Sequence, residues 1–318
     1  MLVRAKTLLF GVILASLAAQ ALSGHINPYF LDVIIGIGIN IILAVSLNLI
    51  NGYTGQFSLG HAGFMAVGAY TSAAVSIFLG PQFLSRLGGG SVAIALLFFL
   101  ALLAGGTIAA VAGLLVGAPS LRLKGDYLAI VTLGFGEIIR VIFRNIPALG
   151  GALGLNGIPG YTNLFWVFAF AALTVYTVTA MVNSTYGRGF LAVHDNEVAA
   201  EAMGLNPTKY KLVAFLTGAF FAGIAGGLYG HFKLSIDPKG FDFIKSIEIV
   251  VMVILGGMGN TVGVIIAAVI LTVLPEVLRP VAEYRMIVYS LLLIVLMLTR
   301  PQGLFTPRKR ALAERKTT

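Results

Sequence analysis

Mostly apolar runs near the roughly 20 residues needed to cross about 30 Å of hydrocarbon recur along the whole chain, separated by short polar or Gly/Pro-rich breaks. Seven are regular: 7–24, 29–50, 91–117, 127–143, 161–183, 212–231 and 285–299. Two are not. Residues 57–79 are interrupted by Gly60, Gly63 and Gly68, and 244–278 is too long for one crossing and contains Gly256-Gly257-Met258-Gly259-Asn260. Only 10% of the residues are charged and 58% are hydrophobic. Soluble folds use about 25% charged residues to cover their surface, so the medium around this chain is lipid.

Charge decides how the runs are threaded. The net charge of +9 does not mark a nucleic-acid binder, because Lys and Arg are scattered between apolar runs with no basic stripe. Short loops rich in Lys and Arg stay in the cytoplasm. Arg4 and Lys6 at the start, and Arg300, Arg308, Lys309, Arg310, Arg315 and Lys316 at the end, put both termini inside. An even number of crossings follows, reached if 244–278 makes two passes that reverse at the Gly-Gly-Met-Gly-Asn turn. The expectation is an all-α polytopic membrane protein of about ten transmembrane helices, some short or broken. A permease domain at 1–300 would include a cytoplasmic loop at 184–211, followed by a basic tail at 301–318. Arg4, Lys6 and the run ending in Ala19-Gln20-Ala21 also resemble a cleaved signal peptide, but cleavage would leave an odd count and push the basic tail outside. An intact first helix is expected.

The short pass 244–258 would span only about 22 Å and needs shielding by neighbours. Gly-interrupted apolar segments in corresponding places of two halves suggest an inverted repeat, here 52–79 with 244–278. The chain has no cysteine, which removes disulfides, thiolate metal sites and a Cys nucleophile. His61 has no second His or carboxylate at ligand spacing, since His25, His194 and His231 are far apart in sequence, so no metal is expected. Glu137 and Arg140, at i and i+3, are placed to pair on one helix face.

The longest polar stretch, 184–211, contains His194, Asp195, Glu197 and Glu201 alternating with small apolar residues, the spacing of an amphipathic helix over 192–204 ended by Gly204 and Pro207. It reads either as a solvated surface helix or as a ridge on which a cytoplasmic partner docks.

Gly52-Tyr53-Thr54-Gly55-Gln56-Phe57-Ser58-Leu59-Gly60-His61-Ala62-Gly63-Phe64, Leu121-Arg122-Leu123-Lys124-Gly125-Asp126-Tyr127 and the 197–204 loop together resemble the membrane subunit of branched-chain amino-acid ABC importers, of the LivM type. The resemblance covers nearly the whole chain. It implies a bacterial cytoplasmic (inner) membrane protein working with a second related permease, two cytoplasmic ATPase subunits and an external substrate-binding protein. The coupling motif of such permeases is Glu-Ala-Ala, three residues, then Gly. Here the register gives Val198-Ala199-Ala200 and Gly204, with the glutamate one place early at Glu197. Asp195, Glu197, Ala199, Ala200 and Gly204 are the expected coupling residues.

No G-x-x-x-x-G-K-[ST] motif occurs, so the chain has no P-loop of its own, and ATP with Mg would be used by the partner ATPases. No cofactor bound by this chain is expected, and it is not read as an enzyme. Gly55, Gln56, Ser58, Gly60, His61, Gly256, Gly257 and Asn260 are the expected translocation-path residues. A half-helix starting near Ser58 would aim its N–H groups at an amino-acid carboxylate near the midplane. The surrounding Phe57, Leu59, Phe64, Val131, Leu133, Phe135, Val251 and Ile254 are aliphatic or aromatic and suit leucine, isoleucine and valine. Urea or short amides are the alternative cargo. A self-sufficient channel or carrier relaying protons through Glu137, Asp126 or His61 is the alternative mechanism.

Overall fold

A computed structural model describes residues 27–279 except 122 and 124, with positions 11, 16, 17, 20, 290, 291, 294 and 303 besides. Apart from such isolated positions, the predicted spans 7–24 and 285–299 and the tail 301–318 lie outside the described residues, as does the signal-peptide alternative. The described helices are α1 (Pro28–Asn48), α2 (His61–Ala74), α3 (Gly80–Leu87), α4 (Ser91–Ser120), α5 (Asp126–Arg144), α6 (Leu164–Val182), α7 (Thr185–Asp195), α8 (Glu197–Ala202), α9 (Pro207–Lys233), α10 (Phe243–Gly256) and α11 (Thr261–Val277). Two π-helical turns, Leu49–Tyr53 and Val75–Leu79, extend α1 and join α2 to α3.

Each predicted run that falls among the described residues is helical, and length and charge then divide them. Pro28–Tyr53, His61–Leu87, Ser91–Ser120, Leu164–Val182 and Pro207–Lys233 are long and apolar enough to cross a membrane. α5 carries Glu137, Arg140 and Arg144 in its 19 residues, α11 is apolar but has 17 residues, and α10 has only 14. The Glu137–Arg140 pair forms on α5, with 2.8 Å between Oε2 and Nη2. As expected of a short pass, α10 is shielded along its second half, where Ile249–Val253, Leu255 and Gly256 are buried.

Helix α9 is central, lying against α4, α2 and α1, while α1 lies against α6, α10 and α11. Lipid gives helices little hydrophobic reason to associate, so close backbone approach at small residues does the work. A Cβ added at Gly68 would stand 2.1 Å from the Gly223 carbonyl oxygen, and one at Gly105 would stand 2.8 Å from the Gly68 oxygen. Gly223 closes the set, its own added Cβ lying 2.7 Å from the Gly105 oxygen. Three helices thus cross main chain to main chain. At one end of the bundle, a two-stranded antiparallel ribbon pairs β1 (Leu155–Asn156) with β2 (Ser235–Ile236) and ties the connection after α5 to the one after α9.

Candidate functional site

The end of the bundle that carries the 183–206 connection also carries both helix breaks. Residues 54–60 are non-helical, and α2 begins at His61, three residues later than expected. Helix length explains where the break lies. Pro28–Tyr53 has 26 residues and His61–Leu87 has 27, each long and apolar enough to cross a membrane. The break therefore lies between two membrane-length helices and beneath the connection.

Side chains from α1 organise it. Asn51 holds the turn from both sides, its Oδ1 accepting from the Ser58 N–H at 3.2 Å and its Nδ2 donating to the Ser58 carbonyl at 3.4 Å. Thr132 Oγ1 accepts from the Leu59 N–H at 3.0 Å, and Ser246 Oγ accepts from the Ala62 N–H at 3.2 Å. The Gly63 N–H donates to the Gly60 carbonyl. These bonds occupy most of the N–H groups that the carboxylate expectation required to be free at the start of α2. Gly60 is needed for a different reason: a Cβ there would lie 2.3 Å from the Thr132 carbonyl oxygen on α5.

The second break meets the first. Asn48 Oδ1 accepts from the Gly259 N–H at 2.9 Å across 211 residues of sequence. A Cβ on Gly52 would fall 2.2 Å from Asn48 Oδ1 and 2.3 Å from the Gly259 nitrogen, so glycine at 52 leaves the space in which that bond forms. Tyr53 and Thr261 hydroxyls lie 2.9 Å apart. Gly256 crosses α11 closely, its added Cβ 2.4 Å from Val264 Cα. Gly257 lies in the turn, its carbonyl accepting from the Asn260 N–H. Asn260 caps α11, its Oδ1 accepting from the Gly263 N–H. Of the expected path residues, Gly256, Gly257 and Asn260 thus shape the second turn.

Between the breaks lie buried polar atoms without a hydrogen-bond partner among the described residues: Asn48 Nδ2, Gln56 Oε1, Ser58 Oγ and His61 Nδ1. His61 is read from its neighbours. His61 Nε2 lies 2.9 Å from Ser46 Oγ, which is also 3.0 Å from the Leu43 carbonyl oxygen, while Nδ1 has no partner among the described residues. His231 differs, with Nδ1 donating to the Gly227 carbonyl and Nε2 accepting from Ser76, both at 2.8 Å, and is fully paired. Among the described residues no three His, Cys, Asp or Glu gather as metal ligands. Polar atoms buried without a partner cost about 1–3 kcal/mol each, and these four lie together as a polar seam beside the breaks.

The connection itself departs from expectation. Residues 192–204 are not one helix, because Asn196 leaves the helical conformation and its side chain caps α8 by accepting from the Ala199 N–H at 3.0 Å. α7 starts earlier, at a Ser184 cap. Gly204 ends the unit at φ +82, where an L side chain is strained. Ala200 is buried, whereas Ala199, Val198 and Met203 face outward, the last two 70% and 83% exposed. Asp195 is exposed and pairs with His194 at 3.1 Å. Glu197 instead turns back to Lys211 on α9, Oε2 to Nζ 2.8 Å, with the Lys211 side chain only 10% exposed.

Gly55 joins the two halves of the site. It sits at φ +68, and an added Cβ would lie 2.9 Å from His194 Cδ2 and 3.6 Å from His194 Cα, so α7 rests directly on the break. Gly55→Val adds the left-handed penalty of about 1–2 kcal/mol to this clash. The detergent-extracted variant should unfold several degrees below the parent, and His194→Ala should recover part of that loss by removing the ring alone. Sequence reasoning missed Ser46, Asn48, Asn51, Thr132 and Ser246. The signal was present, since polar side chains inside apolar runs are functional suspects.

Membrane-length helices enclosing a polar seam that ends beneath an amphipathic connection have the architecture of a membrane permease. The family model described as "Branched-chain amino acid transport system / permease component" matches residues 29–298, and the chain belongs to that family. It is 35% identical over 301 residues to the high-affinity branched-chain amino acid transport system permease protein LivM of Salmonella typhimurium, covering 84% of this chain and 67% of the relative. The LivM protein of Escherichia coli gives the same identity and coverage. LivH of Salmonella typhimurium is 30% identical over 144 residues, 44% of this chain and 46% of that one. No solved structure matches this chain.

Proposed function

We propose that this chain is the non-catalytic, membrane-spanning permease subunit of an ATP-driven importer that carries leucine, isoleucine and valine into a bacterial cytoplasm. On this reading residues 1–300 form the permease domain, 184–211 is a cytoplasmic coupling loop and both termini are cytoplasmic in the inner membrane. A LivH-like second permease, two ATPases using ATP and Mg, and an external binding protein complete the machine. Asp195, Val198, Ala199 and Met203 face the ATPases, while Glu197 anchors the loop to α9. Gln56, Ser58 and His61, with Asn48, line the path that opens when the loop moves.

The observation that carries this reading is the seat of His194 on Gly55. A push on α7 displaces the 54–60 segment, and with it the unpartnered atoms of Gln56 and Ser58. A channel needs no such linkage.

The experiment is reconstitution in liposomes. The full set of subunits should accumulate labelled leucine against its gradient only with ATP, and the chain alone should neither hydrolyse ATP nor accumulate solute. Concentrative uptake by the chain alone overturns the reading. Accumulation of urea but not of leucine by the full set would replace the cargo and leave the coupling intact.

A further inference from the structure

A cavity of about 110 Å³ opens between α1, α2, α9 and α10 at the end of the bundle remote from the 183–206 connection. That placement follows from α9, which starts beside the connection and runs 27 residues, about 40 Å, to Lys233 at its last position. The cavity is lined by Asp32 and Lys233 at its mouth, Lys245 beside them, and Ile39, Met65 and Phe232 below. None of these residues was expected from the sequence as a site residue.

Its charges are balanced and separated. Lys233 Nζ donates to Asp32 Oδ1 at 2.6 Å, joining α9 to α1, and Lys245 Nζ donates to Glu248 Oε2 at 3.1 Å. The Lys233 and Asp32 side chains are 41% and 49% exposed, so their pair is open to exchange with solutes. A cation alone would compensate Asp32 and leave Lys233 to water, and an anion alone would do the reverse; for a half-exposed pair either costs little, and neither matches both charges. A zwitterion is the solute that replaces the pair on both sides at once, its carboxylate on Lys233 or Lys245 and its ammonium on Asp32. The 110 Å³ is that of the whole cavity, mouth included, and Ile39, Met65 and Phe232 give it an apolar floor.

The floor leads on to the polar seam. Met65 is one helical turn beyond His61 in α2, and Ile39 lies two turns before Ser46 in α1, the residue that holds His61. We propose that this cavity is a receiving site for a free α-amino acid, which opens the Asp32–Lys233 latch by exchanging both halves of it. The proposal rests on the importer reading only for the direction of travel, in which this end faces outward.

The test is direct binding to the full chain in lipid nanodiscs without any partner subunit, followed by ligand-observed saturation-transfer NMR with L-leucine. 4-Methylpentanoate, which lacks the ammonium, and 3-methylbutylamine, which lacks the carboxylate, should each bind at least tenfold more weakly. Asp32→Asn and Lys233→Met should each weaken leucine binding at least tenfold, with thermal stability close to that of the parent because both groups are half exposed. Equal binding of leucine and either analogue, or unchanged leucine binding by both variants, overturns the proposal. So does a parent protein that ignores leucine while the assembled transporter accumulates it, a result that leaves the importer reading standing. Zwitterion binding here together with an assembled transporter that carries no amino acid would sink the importer reading and leave this site.

Discussion

Gly223→Leu should remove the folded protein from the membrane, lowering the yield of monodisperse detergent-extracted protein by more than tenfold. At that position an added Cβ alone meets Ala109 Cβ at 2.5 Å, the Gly105 carbonyl oxygen at 2.7 Å and Gly106 Cα at 3.0 Å, all on α4. Overpacking a core usually costs about 1–3 kcal/mol because side chains give way, but the main chain of a packed helix cannot. Gly134→Leu is the control. An added Cβ at Gly134 meets nothing within 4 Å, and leaving glycine out of a helix interior favours the helix by up to about 1 kcal/mol. Size-exclusion profiles of the two variants, expressed side by side, check the result. Equal yields would refute the three-glycine crossing.

On the proposed importer reading, reversing one charge in the connection should uncouple it from the ATPase partners while leaving the bundle folded. Glu197→Lys faces Lys211 with a second cation, and Lys211 is buried to 8% exposure. Breaking a buried pair by removing one partner costs about 3 kcal/mol at the low end, roughly a hundredfold in the docked population of the loop. ATP-dependent uptake in reconstituted liposomes should fall tenfold or more, whereas the partners should still co-purify. The double variant Glu197→Lys with Lys211→Glu should restore most of the uptake, because it rebuilds the pair with reversed polarity. Failure of the double variant to recover would mean that Glu197 acts through the partner ATPase and not through α9. That outcome would return it to the surface role suggested by its place one residue before the expected motif position.

Much of this protein is legible from local properties. Hydropathy averaged over 20 residues located every helix between residues 28 and 277 that the apolar runs predicted, because burial in lipid acts on each run separately. The ends of the breaks were less legible. The π-helical turn at Leu49–Tyr53 prolongs α1 past the expected end at 50, and α2 starts at His61, after a segment in which Asn51 and Thr132 accept from the Ser58 and Leu59 N–H groups. The single helix expected over 192–204 failed for a similar reason. Asn196 can bond its own main chain two or three residues on, and that local bond outcompetes continuation of α7.

The sequence by itself thus determined a multi-pass helical membrane protein of the branched-chain amino-acid permease family, because span length, charge and a long glycine-rich motif are properties of consecutive residues. Only the tertiary structure decided that Gly52 faces Gly259, that Gly55 carries His194, that Glu197 reaches Lys211, and that Asp32 and Lys233 close the mouth of one cavity. Each of those joins residues that are 14 to 207 positions apart on different elements. Which faces of two helices meet is set by the shapes of all their neighbours at once, and no window along the chain contains that information.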